Sequence, residues 1–209
     1  MNMSPPGTLE IFTDLNCAWC YFDHGTIKRL ADAYDIKIDW RAFPLHRDIP
    51  KEGLPIEQLF GNNQELMNKK LQLLEQKAAS LGLDFANRTT ISDTCLAQEL
   101  LKWADTQGKE EEFHNAIFKA YFAEGLNIAE PSVLLDVTET AGLSRETAGL
   151  VLEHRSFSQA VEDDWKMCEA REIMIAPTYI INQKRLAGSQ PYHRLASLVE
   201  RNGARKKTK

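Results

Sequence analysis

The stretch that decides the fold is Thr8-Leu9-Glu10-Ile11-Phe12-Thr13-Asp14-Leu15-Asn16-Cys17-Ala18-Trp19-Cys20-Tyr21. Its first six residues alternate well enough for a strand. Asp14-Leu15-Asn16 breaks that pattern, and Asn16 is a good N-cap residue. From Cys17 to Tyr34 the period turns helical, with Tyr21, Ile27, Leu30, Ala31 and Tyr34 near one face. Ile36-Lys37-Ile38-Asp39-Trp40-Arg41-Ala42-Phe43 alternates again and stops at Pro44, so it reads as a half-buried strand. The opening fifty residues are therefore β-α-β, which calls for a parallel pair of strands. A Cys-x-x-Cys stands where the first strand hands over to the helix.

Working outward, five helical stripes follow. They are Met67/Leu71/Leu74/Ala78/Leu81, Leu96/Leu100/Trp103 with Ser92 as cap, and Phe113/Ile117/Tyr121. Pro131, in a first turn ahead of Leu134 and Val137, and Ser144, capping a short helix to Glu153, mark the next segment. Phe157/Val161/Trp165/Cys168 complete the run. Strand character then returns in Pro177-Thr178-Tyr179-Ile180-Ile181. Asn182-Gln183-Lys184 can turn the chain into a short antiparallel strand, Arg185-Leu186-Ala187. Gly188 closes it, Ser189 can cap, and Gln190 to Arg201 reads as a terminal helix. Strands at both ends with helices between predict one α/β sheet domain, residues 1–50 and 156–209, interrupted by an all-α insertion, residues 51–155.

Composition narrows the function. The chain has 209 residues, 43% of them hydrophobic and 26% charged, enough apolar material for a buried core. Its longest run without a charge is Ile173–Gln183, too short to span a bilayer, so no membrane partner is expected. Net charge is −5, and five of the bases (Arg201, Arg205, Lys206, Lys207, Lys209) crowd the last nine residues, where there is no acid. The rest of the chain is more acidic still, and an acidic body repels phosphate backbones, so nucleic-acid binding is disfavoured. Met1 to Gly7 shows neither a basic nor an apolar leader region, and the expected location is cytoplasmic. In such a reducing compartment two close cysteines are reactive or metal-binding rather than structural.

Cys17 and Cys20 have a physical logic for redox work. Amides of a helix first turn stabilise a thiolate at Cys17, which makes it the attacking sulfur, and Cys20, one turn in, can resolve a mixed disulfide. Zinc would need two more ligands. There is no second Cys-x-x-Cys, and no His stands at ligand spacing from Cys95 or Cys168, so no metal is expected. A pair of buried core cysteines is the other bland alternative, disfavoured by the exposed-looking Ala18-Trp19 between them. Pro177, in Ile175-Ala176-Pro177-Thr178, must begin its strand or sit at an edge, and an ordinary trans proline would satisfy that.

The constellation resembles the DsbA-like branch of the thioredoxin superfamily, in particular its FrnE-like oxidoreductases. Asp14-Leu15-Asn16-Cys17-Ala18-Trp19-Cys20-Tyr21 is similar to that group's Asp-x-x-Cys-Pro-Trp-Cys-Tyr signature, and Ala176-Pro177-Thr178-Tyr179 to its Val-Pro-Thr-Phe cis-proline motif. Leu101-Lys102-Trp103-Ala104, Phe118-Lys119-Ala120-Tyr121-Phe122-x-Glu124-Gly125 and Gly188-Ser189-Gln190-Pro191 also look like FrnE-type segments, in family order. The resemblance, over about residues 8–200, implies a thioredoxin-like α/β fold with an all-α helical insertion. It implies a thiol–disulfide oxidoreductase with Cys17 as nucleophile and Cys20 as resolving cysteine. Ala18, Trp19, Ala176 and Pro177 would then face the substrate, a disulfide- or dithiol-containing protein or small thiol. No bound cofactor is implied beyond a Cys17–Cys20 disulfide, with glutathione as a candidate electron partner. Two departures stand out: Ala18 replaces the family's Pro, and Ala176 its Val.

Three other functions compete. A glutathione-dependent isomerase or transferase of the hydroxychromene-carboxylate isomerase and kappa-class type shares the implied fold, but typically has Ser at the position of Cys17. A peptide-holding module would use Trp19 and the helices without turnover, and zinc storage would use the thiols alone. Among the remaining residues, Cys95 and Cys168 read as packed thiols and His24 as a partly exposed helix histidine able to tune the pair. His46 stands where the chain leaves the second strand and is a candidate for the rim of the site, with an ordinary loop histidine as the simpler reading, and Asp14 is either a turn residue or a proton acceptor.

Overall fold

The computed structural model describes residues 7–61 and 63–208; the opening residues 1–6 read above for a leader lie outside them. Strand β1 (Gly7–Thr13) pairs in parallel with β2 (Ile36–Ala42), in register from Gly7↔Ile36 to Thr13↔Ala42, and helix α1 (Ala18–Ala33) crosses between them. After β2 the chain makes a two-residue bridge between β3 (Leu54–Pro55) and β4 (Thr90–Ile91) around the short α2 (Ile56–Leu59) and the long α3 (Gln64–Ser80). A helical layer follows: α4 (Cys95–Thr106), α5 (Glu110–Phe118), α6 (Pro131–Thr140) and α7 (Arg145–His154). Helix α8 (Ser158–Ala170) returns the chain to the sheet. There β5 (Thr178–Ile181) lies antiparallel on the free edge of β1, β6 (Lys184–Ala187) folds back on β5, and α9 (Tyr192–Arg201) closes the chain. The sheet order is β2-β1-β5-β6, a mixed four-stranded sheet with helices on both faces.

Alternation along the central strands builds two cores. Leu9 and Ile11 of β1, with Tyr179 and Ile181 of β5, pack against Ile27 and Leu30 of α1 and Leu195 and Val199 of α9. Phe12, next after Ile11, and Ile180, between Tyr179 and Ile181, point to the opposite face and join the larger core of α4, α5, α6 and α7. Truncating a fully buried side chain such as Phe12 to Ala is worth about 3–5 kcal/mol.

Several local expectations shift. Neither Asn16 nor Ser189 caps a helix. Cys17 occupies the N-cap of α1, Asn16 Nδ2 donates instead to the carbonyl of Ser92, and Ser189 Oγ donates to Asp23. Thr94, not Ser92, precedes α4. The Phe113/Ile117/Tyr121 stripe, fully in the core, leaves α-geometry before Tyr121, because Lys119–Ala123 winds as a π-turn. The hairpin turn is two residues long, Asn182 and Gln183, both with positive φ (47° and 65°), which starts β6 one residue early.

Candidate functional site

The site grows from the end of β1. Asp14 is buried and its carboxylate collects four donors: the Leu15 and Leu45 amides at 2.7 and 2.8 Å, Thr94 Oγ1 at 2.7 Å and Gln98 Nε2 at 3.0 Å. One side chain therefore ties the turn before α1 to the segment after β2 and to α4. The carbonyl of Asp14 accepts the Cys17 amide at 3.2 Å, which sets the cysteine at the head of the helix. Among the described residues no cation faces this carboxylate within hydrogen-bond reach, and burial raises its pKa from 3.8 to about 6.

At the N-cap, Cys17 Sγ accepts the backbone N–H of Cys20 at 3.4 Å, and its thiol donates to the carbonyl of Ala176 at 3.6 Å. The helix end and the segment before β5 are thus brought into contact across the sheet. The Ala176–Pro177 peptide bond is cis. Both cysteines are free thiols and both are buried, Cys17 at 4% exposure and Cys20 at 3%, so exposure does not distinguish them. What distinguishes them is chemistry. Burial, reinforced by the hydrogen bond and charge of the Cys17 sulfur, pushes the Cys20 thiol well above its usual value. The Cys20 thiol is thus held in its protonated form.

Flanking residues divide by environment. Ala18 is half-buried against the larger core, while Trp19 is 37% exposed and rests edge-on against Phe22, ring centroids 5.7 Å apart. Tyr21 stacks on Phe122 at 4.7 Å and donates to the Asp84 carbonyl, which pins the first turn of α1 to the helical layer. On the other side, Asp23 is buried and accepts from Tyr179 Oη at 2.6 Å, Ser189 Oγ and the Gln190 amide at 3.0 Å. That network joins α1 to β5 and to Gly188-Ser189-Gln190-Pro191, and sequence reasoning passed over it. The available signal was an acid three residues beyond Cys20, on a helix with covered faces.

The other candidates sit elsewhere. His24 is buried rather than partly exposed: it bonds Asn115 Oδ1 at 3.1 Å and packs against Trp40, His114 and Phe118, because α5 covers that side of α1. His46 is half-buried and burial lowers its pKa. Cys168 is packed with its thiol toward the Ala42 carbonyl at 3.7 Å, and Cys95 begins α4; burial pushes both thiols up to about 12. Among the described residues no group of three or more His, Cys, Asp or Glu side chains is arranged to hold a metal, and no helix is long and apolar enough to cross a membrane.

Comparison with known proteins places this geometry. The chain is 22% identical over 182 residues to the uncharacterized protein YwbO of Bacillus subtilis, covering 87% of this chain and 90% of that one. A probable DsbA oxidoreductase from Streptomyces coelicolor superposes with a TM-score of 0.86 at 22% identity, over 97% of this chain and 93% of the other. A 2-hydroxychromene-2-carboxylate isomerase superposes with a TM-score of 0.75 at 16% identity, over 93% and 95%. At these identities the likeness establishes a shared fold. Family membership rests on the sequence itself: the model of the DSBA-like thioredoxin domain matches residues 8–200, and the protein belongs to that family.

Proposed function

We propose that the protein is a thiol–disulfide oxidoreductase working through Cys17 and Cys20. The observation that carries this is the placement of Cys17 Sγ at the N-cap of α1, accepting the Cys20 amide while facing the Ala176 carbonyl. First-turn amides favour negative charge on that sulfur. The Cys17 thiolate attacks one sulfur of a substrate disulfide, forming a mixed disulfide and expelling the other substrate sulfur as a thiolate that takes up a proton. Cys20, after losing its proton, attacks Cys17 and releases the second substrate thiol. Two electrons pass to the substrate, and the enzyme is left with a Cys17–Cys20 disulfide; run backwards, the same steps oxidise a dithiol.

Within this reading residues 1–50 and 156–209 form the redox domain and residues 51–155 the inserted helical unit, acting in a reducing, cytoplasmic setting with glutathione as electron partner. Retention of both cysteines supports exchange over the glutathione-dependent isomerase or transferase alternative. The test is titration of the free thiols in graded glutathione buffers, read by mass spectrometry. A two-electron transition confined to Cys17 and Cys20 is expected, abolished in Cys17→Ser. Cys20→Ser is expected to accumulate a mixed disulfide on Cys17. If no disulfide forms at any poise, the assignment is wrong, and a persistent glutathione adduct in the native enzyme would favour the isomerase or transferase chemistry.

A further inference from the structure

Strand β6 ends the sheet at one side and β2 at the other, and the two outer edges differ. On β2, side chains occupy backbone groups: Lys102 Nζ donates to the Trp40 carbonyl at 2.9 Å, and the Ala42 amide donates to Asp164 at 2.8 Å. On β6 the pair that closes the two-residue turn is Ile181↔Lys184. Lys184 and Leu186 therefore exchange their hydrogen bonds with β5, and the amides of Arg185 and Ala187 point outward. Gln190 Nε2 donates to the Ala187 carbonyl at 2.9 Å, which leaves both outward amides and the Arg185 carbonyl for a further strand. Among the described residues no strand pairs with this edge. The Arg185 side chain is engaged elsewhere, its guanidinium donating to the carbonyls of Arg171 and Glu172. A groove of about 600 Å³ runs beside the edge, between β6 and α9, with the half-buried Leu186 and Leu198 in its wall. Lys184, Arg194 and Arg201 also line it and no acid does, in a chain whose net charge is −5. Among the described residues none of these three cations forms an ion pair. Glu200, the acid of α9, is turned to Tyr34 and Lys206.

We propose that this edge and groove dock an extended acidic segment of a partner protein as a fifth strand on β6, with acid, apolar residue and acid at alternate positions on its α9 side. Asn182 Nδ2 donates to the Asn202 carbonyl at 3.4 Å while Gly188 to Pro191 joins the other ends, so β6 and α9 run antiparallel. Lys184 therefore lies at the Arg201 end of the groove and Arg194 at the other, with Leu186 and Leu198 between. The added strand bonds the Arg185 and Ala187 amides through its backbone. One of its acids meets Lys184 and Arg201, the other meets Arg194, and the apolar residue covers the two leucines. Acids four residues apart in a strand stand about 13 Å from each other. Arg194 and Arg201, two helical turns apart, are separated by about 10.5 Å along the axis, a difference their long side chains absorb. A single compact anion reaches one end only. Lysine and arginine on a short edge strand guard it against pairing with neutral strands, which leaves an acidic strand as the one this edge accepts. The docking is independent of the exchange reaction assigned above.

The test is fluorescence anisotropy of the full-length protein with three labelled nonapeptides at low salt. The first is Gly-Thr-Glu-Thr-Val-Thr-Glu-Thr-Gly. The second has Lys in place of both Glu, and the third is the first with every Thr N-methylated, which removes the amides that would face β6. The first peptide is expected to bind at least tenfold more tightly than either other, and to weaken as salt is raised. The double variant Arg194→Ser/Arg201→Ser is expected to lose at least tenfold in affinity for it. Arg194→Glu/Arg201→Glu is expected to reverse the preference in favour of the Lys peptide, a gain that an unfolded variant cannot give. Equal binding of the Glu and Lys peptides, or no binding of the Glu peptide by the native protein, would overturn the site. Undiminished binding of the N-methylated peptide would overturn strand addition, and an unaltered affinity in the serine double variant would overturn the role of the arginines.

Discussion

Asp14 ties the turn before α1 to the segment after β2 and to α4. Burial outweighs the four hydrogen bonds that favour its charge, so folding raises its pKa from 3.8 to about 6 and favours its protonated form. The stabilising contribution of that proton is complete below about pH 3.8 and is lost as pH rises through 6. Its size, about 3 kcal/mol, follows from the shift of roughly two units. Denaturant titrations of the protein are expected to show this component of stability falling between pH 4 and 6. Asp14→Asn is expected to abolish that slope and to be less stable overall, because its amide nitrogen adds a donor where Leu15, Leu45, Thr94 and Gln98 already supply donors. A slope unchanged in Asp14→Asn would remove Asp14 as its source.

At the scale of elements, the β5–β6 hairpin is tightened at a cost. Gln183 holds a left-handed φ of 65° that the two-residue turn demands. Gln183→Gly is expected to stabilise the protein by about 0.5–1 kcal/mol, raising the thermal midpoint by a few degrees, with thiol exchange unchanged. A lower midpoint would mean that the glutamine side chain holds the turn. The same elements show what was legible in the sequence. Period-2 and period-3.6 patterns located the sheet strands, α1 and the main helices, since each buries a continuous apolar face. Ser144 was legible as a cap because its acceptor is local: it takes the Thr147 amide. Asn16 and Ser189 have the same chemistry but are drawn to Ser92 and Asp23, partners 76 and 166 residues away, which no local rule anticipates. The two-residue β3–β4 bridge and the burial of His24 were likewise illegible, because both depend on how the helices lie over α1 and β2. The cysteine pair could be read from its spacing. The exposure of Met174 and Ile175 could not, since both look like core residues in an apolar run.

Taken whole, the molecule joins its sheet layer to its helical layer across a pair of buried imidazoles. His24 of α1 and His114 of α5 lie 5.3 Å apart, with Trp40 of β2 4.2 Å from His114 and the Lys28–Glu111 ion pair nearby at 3.2 Å. Burial lowers both pKa values, and for His114 the His24 charge lowers it further. Folded values below the ordinary 6.5 mean that the unfolded chain binds protons first, so stability is lost as pH falls below about 6.5. This trend opposes that of Asp14. His114→Phe is expected to flatten the loss of stability between pH 6.5 and 5, measured by denaturant midpoint, and an unchanged pH dependence would exclude the pair as its origin. A different consequence follows from where the contact partners lie along the chain. Cys17 and the Ala176 carbonyl it touches are 159 residues apart, and β1 receives its antiparallel neighbour only when β5 exists. At roughly 5–20 residues per second of synthesis, about 8–30 s separate the appearance of the thiol from that of its cover. For that interval the nascent chain carries a Cys-x-x-Cys with no β5 beside it, open to oxidants and to other nascent cysteines. The protein's own birth is thus the time when its chemistry is least guarded.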